Sequence, residues 1–317
     1  MTAYLLKRLG MTIIVVLLLM VFLAILVHLI PGDPVKTILG PRASEELSQT
    51  VREEMGLDDP VPVQVYDFVS NALQGDLGQD FVSQIPVTTL IGEALPHTLI
   101  LAAAGLGLAA LIGIPLGVFA STRPNSIGDR LAGIVSISLI TVPAYVAGLF
   151  LLLVFAVELD WFPAIGTGDF SDPVDYLKHL ALPAVALALT WVGYLARLTR
   201  TSMFEVLNQN HIRTAQAFGL PDRRIYYKYA LKNAIIPTVA VLGVGLGTLM
   251  GGAVFVEIIF TRAGLGSLIL DSIQNRNFPI VRGSVLVIAV LFVVANLLAD
   301  LTYRLLDPRI RVERETP

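Results

Sequence analysis

Reactive side chains are scarce in this 317-residue chain. It has no cysteine, which excludes thiol catalysis, disulfides and cysteine-ligated metal. Its four histidines, His28, His97, His179 and His211, are scattered, and no two have metal-ligand spacing. No Ser/His, paired-Asp or His/Glu constellation falls within the apolar stretches, as a hydrolase working inside a membrane would need. No Gly-x-x-x-x-Gly-Lys-Ser/Thr is present, so a nucleotide loop of that kind is excluded. The chain reads as non-enzymatic, with no cofactor or metal of its own. Two carboxylates lie in apolar surroundings, where charges are few and usually meaningful. Glu257 sits near one end of an apolar run and reads either as a gate contact or as a fixed ion pair. Asp300 has Arg304 at i+4 and reads as structural. Neither has a neighbour suited to a proton relay.

Two further patterns carry information. Gly243, Gly247 and Gly251 recur every four residues and are expected to share a helix face, where small residues allow close helix approach. That face is either static packing or a moving or pathway-lining surface. With it, Gly247, Met250, Gly251 and Glu257 are the candidate pathway or gate residues. The second pattern is the polar stretch Thr201–Pro237 between two apolar runs. Loops this long tend to be functional. Ile212–Phe218 reads as a short helix stopped by Gly219, with Pro221 two residues on. A second helical piece carries Arg223, Arg224, Lys228 and Lys232.

The elements that position these residues follow from composition. The chain is 55% hydrophobic and 15% charged, with a mean hydropathy of +0.74. Soluble domains carry about a quarter charged residues, so this is an integral membrane protein. Runs of about twenty apolar residues mark six spans: Leu9–Ile30, Thr98–Ala120, Leu131–Val157, His179–Leu198, Ile235–Phe260 and Gly283–Leu305. Lys7 and Arg8 precede the first, which is too long for a signal core and reads as uncleaved. With the N-terminus inside, 15 of the 22 Lys and Arg residues fall on inner segments. Both termini are then cytoplasmic. The organisation expected is a first span within residues 1–30, an acidic outer insertion 31–97, a five-helix core 98–306 with its cytoplasmic loop 201–234, and a tail 307–317. The insertion is expected to hold helices at Ala43–Met55 and Val61–Leu73. A second acidic outer loop runs from about Glu158 to Lys178.

Several of these patterns together resemble one family. Ile212-Arg213-Thr214-Ala215-x-Ala217-x-Gly219-Leu220, followed by Ala230-Leu231-x-Asn233-Ala234-x-Ile236-Pro237, resembles the cytoplasmic coupling loop of binding-protein-dependent ABC importer permeases. The dipeptide/oligopeptide/nickel branch is the nearest. Pro31-Gly32-Asp33-Pro34, Gly56-Leu57-Asp58-x-Pro60, Gly75-Asp76-Leu77-Gly78, Gly264-Leu265-Gly266, the block Gly252–Phe260 and Leu306-Asp307-Pro308-Arg309-Ile310-Arg311 occur in the family's order. Ala263 stands where the family usually has Pro. His211, Gln216, Phe218 and Tyr229 also depart from it.

The resemblance implies an all-α integral membrane protein with six transmembrane helices, a small extracytoplasmic helical insertion and a cytoplasmic coupling helix. Ile212, Arg213, Thr214, Ala215, Ala217, Gly219 and Leu220 would form that helix and enter a groove of an ATPase. Ala215 and Gly219, at i and i+4, are expected on the partner-facing side. The implied partners are a second, homologous permease subunit, two ATPase subunits carrying ATP and Mg, an extracytoplasmic substrate-binding protein and membrane lipid, with no nucleic acid. The implied location is the cell membrane of a prokaryote. Dipeptides or oligopeptides are the expected cargo, with nickel chelates or glutathione as alternatives. A secondary transporter is the main rival; it would show broken helices and midplane ionisable groups, and the sequence reads as having neither.

Overall fold

The computed structural model describes residues 2–29, 44–46, 49, 52 and 59–306. Of the expected helix at 43–55 only residues 44–46, 49 and 52 are described, with 45, 46, 49 and 52 helical; the turns at 31–34 and 56–58 and the 307–317 tail lie outside the described residues. Among the described residues the structure is helical, with no strand and one isolated antiparallel bridge between Gln79 and Pro86. The helices are α1 (Thr2–Leu29), α2 (Val61–Leu73), α3 (Val87–Thr122), α4 (Ile127–Thr141), α5 (Ala144–Leu151), α6 (Pro173–Leu207), α7 (Asn210–Ala217), α8 (Asp222–Arg224), α9 (Leu231–Ala234), α10 (Ile236–Ile259), α11 (Leu265–Gln274) and α12 (Phe278–Leu306). Leu152–Glu158 and Ile225–Ala230 are π-helical.

Among the described residues four helices are long and apolar enough to cross a membrane: α3, α6, α10 and the Phe278–Ala299 part of α12. A fifth span is formed if α4 and Ala144–Glu158 count as one. The sequence predicts a single straight span there, Leu131–Val157. The structure bends it by 98°. Pro143 has no N–H and drives the residue before it out of the helical region, and Val142 indeed has ψ 116°. The Val142 carbonyl is not left bare: Thr190 Oγ1 donates to it at 3.1 Å. The sequence also underestimates lengths. α3 has 36 residues and α6 has 35, about 54 and 52 Å at helical rise against about 30 Å of hydrocarbon. α6 therefore runs past the expected end at Leu198 and takes in the first seven residues of the polar stretch.

The chain divides into two compact units. The first is Met1–His97 with Ala263–Val293. Its core gathers Val87, Ile91 and Ala94 from α3, Leu265 from α11 and Ile280 from α12. The Gly75-Asp76-Leu77-Gly78 turn explains its own composition. Gly75 and Gly78 sit at φ +86° and +88°, which only glycine adopts cheaply. Asp76 Oδ1 accepts the Gly78 N–H at 2.8 Å, and Leu77 reaches the core. The next turn is tied by Asp80. Burial alone would raise its pKa, but hydrogen bonds from Ser83, the Val82 amide and Asn277 outweigh that and hold it below the usual carboxylate range.

The second unit is Thr98–Arg262 with Val294–Pro317, and α6 is its centre. Some 61% of the apolar window of α6 is buried, against 28% to 33% for the other three long helices. Lipid gives helices no hydrophobic reason to associate, so close backbone approach must do it. Glycines supply that approach. A Cβ on Gly113 would lie 2.8 Å from the Val192 carbonyl oxygen, and one on Gly117 would lie 2.7 Å from Thr199 Cβ. On the other side, Gly193 of α6 faces the Ser136 carbonyl and Leu139 of α4.

One feature of α6 breaks the helical rule. Pro183 lies inside it and cannot donate to the His179 carbonyl four residues back. Arg262 supplies the missing donor. Its side chain is 1% exposed, and Nη1 donates to the His179 carbonyl at 3.0 Å and the Thr167 carbonyl at 3.4 Å. Nη2 donates to the Tyr176 hydroxyl oxygen at 3.4 Å. Burial pulls the guanidinium below its ordinary pKa, while Tyr176 and Glu257 oppose that by attraction. Replacing Arg262 with Met leaves buried carbonyls unpaired, at a cost of about 1–3 kcal/mol each. Pro183→Ala restores an N–H that can reach the His179 carbonyl. The R262M penalty should therefore shrink by about 1–2 kcal/mol in a P183A background. The measurement is a double-mutant cycle on unfolding of the purified chain in detergent. An R262M penalty unchanged by P183A would show that Arg262 does not repair the proline break.

Candidate functional site

The polar stretch folds onto its own chain first. α7 is held by Ile212 (0% exposed) and Ala215 (6%), which share one face at i and i+3. They join Val118 of α3, Met203 and Val206 of α6, and Ile225, Ala230 and Ala234 beyond the turn. The end of α7 is a Schellman motif. The Gly219 N–H donates to the Gln216 carbonyl at 2.9 Å and the Leu220 N–H to the Ala215 carbonyl at 3.3 Å. Gly219 has φ +70°, with nothing within 4 Å of where a Cβ would stand, so conformation and not space requires glycine. Leu220 packs back against the same cluster.

This corrects one expectation. Ala215 does not look outward beside Gly219; it faces inward, and its small size serves the chain's own packing. The residues left exposed are His211, Arg213, Thr214, Gln216, Ala217, Phe218 and Gly219. Phe218 is 81% exposed. With Ala217 and Tyr227 (59%), also exposed, it puts apolar side chains on the surface of this stretch, and aromatic side chains are common anchors of interfaces. In the sequence Phe218 stands out only as a departure from the family pattern; an aromatic residue just before the stop glycine is the signal it offers. The flanking cations Arg223, Arg224 and Lys228 are exposed, and with Pro221 and Tyr227 they line an open concavity of about 650 Å3.

The candidate pathway residues on α10 are not brought together. Gly243 is pressed against Ala299 of α12, Gly247 and Met250 are buried, and Gly251 has nothing of this chain within 4 Å of a Cβ. The reason is helical pitch. Residues four apart are rotated by about 40°, so Gly243 and Gly251 end up about 80° apart. The exposed stripe is instead Val244, Thr248, Gly251, Gly252 and Phe255. Glu257 is 1% exposed and accepts a hydrogen bond from Thr98 Oγ1 at 2.6 Å. The Arg262 N–H donates to its main-chain carbonyl at 2.8 Å. The backbone of Asp300 is helical; its side chain lies outside the described residues. No group of three or more His, Asp or Glu residues that could hold a metal occurs among the described residues.

The loop ahead of α6 is tightly wound. Gly166 and Gly168 have φ +107° and +78°, and a Cβ on Gly168 would lie 2.8 Å from Tyr176 Cα. Trp161 (63%), Ile165 (63%) and Phe170 (53%) are exposed on it.

Residues 113–312 match the model of the binding-protein-dependent transport system inner membrane component, and residues 1–102 match the N-terminal model of the same kind of membrane component. The chain is 37% identical over 312 residues to a probable peptide ABC transporter permease protein, y4tP, of Sinorhizobium fredii, covering 98% of this chain and 100% of that protein. It is 36% identical over 308 residues to the glutathione transport system permease protein GsiC of Shigella flexneri, covering 97% and 98%. In fold it is similar to an inward-facing structure of the MetNI methionine ABC transporter, with a TM-score of 0.58 at 19% identity, covering 69% of this chain and 96% of that one. An amino acid ABC transporter gives a TM-score of 0.55 at 17% identity, covering 68% and 94%. The chain thus belongs to the family of binding-protein-dependent transport system inner membrane components and is a permease subunit of an ABC importer.

Proposed function

We propose that this permease forms, with a second and homologous subunit, the membrane pathway for dipeptides or oligopeptides, with the tripeptide glutathione or a nickel chelate as the alternative cargo. α7 is the element that couples it to an ATPase. The observation that carries the reading is α7 itself, fixed to the chain by Ile212 and Ala215 while Phe218 stands 81% exposed. A partner groove would receive Phe218 with Thr214 and Ala217. Arg213, Arg223 and Arg224 would meet acidic groups around it. ATP and Mg belong to two such ATPase partners, and this chain contributes no catalysis.

The remaining architecture follows. α1, α3, the bent α4–α5 pair, α6, α10 and α12 make six spans, with both termini cytoplasmic, as the distribution of Lys and Arg requires. The bend at Pro143 is the kind of broken helix expected of the rival secondary transporter; family membership decides against that rival. Trp161, Ile165 and Phe170, beside Asp160, Asp169 and Asp172, suit the docking of an extracytoplasmic binding protein. The open stripe Thr248, Gly251, Gly252 and Phe255 suits the second subunit or the pathway. Glu257, buried and bonded to Thr98, acts as a fixed contact and not as a moving gate.

Three measurements test this. Ser171→Cys in this cysteine-free chain should react with an impermeant thiol reagent in intact cells, and Gln209→Cys only after lysis; the reverse pattern overturns the topology. Phe218→Glu should abolish co-purification of the ATPase, a loss of tenfold or more, while leaving the melting temperature of the purified permease unchanged. Ala215→Glu should instead lower that temperature by several degrees, because it puts a charge into the chain's own core. If F218E assembles and transports like the parent, α7 is not the coupling element. Finally, Gly243→Leu should destabilise the isolated chain through Ala299. Gly251→Leu should spare the isolated chain and impair assembly or transport by tenfold or more. Full activity of G251L would leave the α10 stripe without a role.

A further inference from the structure

Neither coupling nor the pathway accounts for a cavity of about 340 Å3 between α3, α4 and α6. Its floor is made of small residues, Gly117 and Ala120 of α3 and Ala196 of α6. Its polar wall is built. Asp129 is buried, and Arg200 grips it from α6 with two hydrogen bonds, Nε to Oδ1 at 2.6 Å and Nη2 to Oδ2 at 2.8 Å. The Asn125 N–H adds a third at 3.0 Å. Asp129 is therefore fully engaged, and Arg200 is locked in place with 36% of its side chain still exposed. Arg130 and Arg197 also line the cavity. Among the described residues neither pairs with a carboxylate. Three guanidiniums thus face one carboxylate, and Ser136 adds a hydroxyl to the lining.

The place of the cavity says what kind of anion it would take. α3 ends at Thr122 and α4 begins at Ile127, so the charged end lies where two spans turn, at the level of lipid headgroups. Its lining continues along α4. Ile137 and Gly133 line the cavity, and Leu131, Ile134 and Ile137 are 56%, 62% and 55% exposed. A soluble anion has no use for that apolar extension; an acyl chain does. At about 30 Å3 per water-sized group, the cavity has room for roughly ten such groups. A phosphate with its esterified polar group fits within that. Basic pockets between helices at a membrane surface are suited to anionic headgroups.

We propose that this cavity binds the phosphate-bearing headgroup of an anionic phospholipid, with acyl chains lying on Leu131, Ile134 and Ile137. Arg130 and Arg197 contact the phosphate, and the Asp129–Arg200 pair holds the third guanidinium in position. The proposal needs only that α3 and α6 cross the bilayer, and no choice of orientation or cargo.

The test uses the full-length chain in detergent, with native mass spectrometry to count bound lipid. Phosphatidylglycerol, phosphatidylcholine and inorganic phosphate are the probes. The parent should bind phosphatidylglycerol at least tenfold more tightly than phosphatidylcholine. R130Q/R197Q should lower that affinity roughly thirtyfold, at about 1 kcal/mol per cation. R223Q/R224Q removes equal charge elsewhere and should change it less than twofold. Gly133→Leu, at a position with nothing within 4 Å of a Cβ, keeps every charge but fills the opening, and should also lose the lipid. Unchanged binding in either R130Q/R197Q or G133L overturns the proposal, as does an equal loss in R223Q/R224Q. Displacement of the lipid by millimolar inorganic phosphate would make the cavity a soluble-anion site and overturn it too.

Discussion

Inside a bilayer every backbone carbonyl must find a donor within the protein, because no water is there to serve. Prolines break that rule in this chain, and α6 lies beside two of the repairs. Pro143 ends α4 and leaves the Val142 carbonyl to Thr190 of α6. Pro183 within α6 leaves the His179 carbonyl to Arg262. The second repair uses a buried cation, which burial makes costly on its own. Several acceptors share it, Tyr176 lies alongside with its ring centroid 5.6 Å from the guanidinium carbon, and Glu257 attracts it. The Arg262 loop is thereby fixed to α6 by polar contacts where glycine packing fixes the spans.

The other end of α6 is tied differently, and the contrast bears on transport. Past the apolar window α6 continues as a helix to Leu207, and there Met203 and Val206 join Ile212 and Ala215 of α7 in one dry cluster. Burying a side chain such as Ile212 is worth about 1.5–3 kcal/mol. The short helix is thus packed onto the rod that leads into the spans. A displacement of α7 is delivered to α6 and to Val118 of α3 as a rigid-body shift, because a packed core does not deform continuously. An exposed loop with no core beneath it would absorb the same push.

Much of this was legible in the sequence because single residues signal it. Hydropathy located the long helices, Gly219 marked the end of α7, and the glycines at 75 and 78 marked their turn. What escaped notice depends on partners distant in sequence. The burial of Ala215 could not be seen, because the residues covering it come from α3, α6 and the turn beyond. The bend at Pro143 is masked by an apolar run long enough for one span. The every-four glycine pattern misled for a geometric reason: its rotation per step moved Gly251 off the face that Gly243 occupies. The role of Arg262 is hidden too, since nothing local says that a carbonyl 83 residues away lacks a donor.

The exposed surfaces also differ in kind, and the difference separates what lipid can cover from what it cannot. Leu131, Ile134 and Ile137 of α4 are bulky and apolar, so hydrocarbon satisfies them. The stripe on α10 is not of that type. Gly251 and Gly252 expose backbone, and the Thr248 hydroxyl is bonded back to the Val244 carbonyl of its own helix. Such a groove gives acyl chains little to pack on and gives a second helix or a passing solute close access. Phe218 is a third case, an apolar ring held away from the spans, where water charges for its exposure. Among the described residues this chain covers neither of the last two, so one open surface lies on α10 and another on α7.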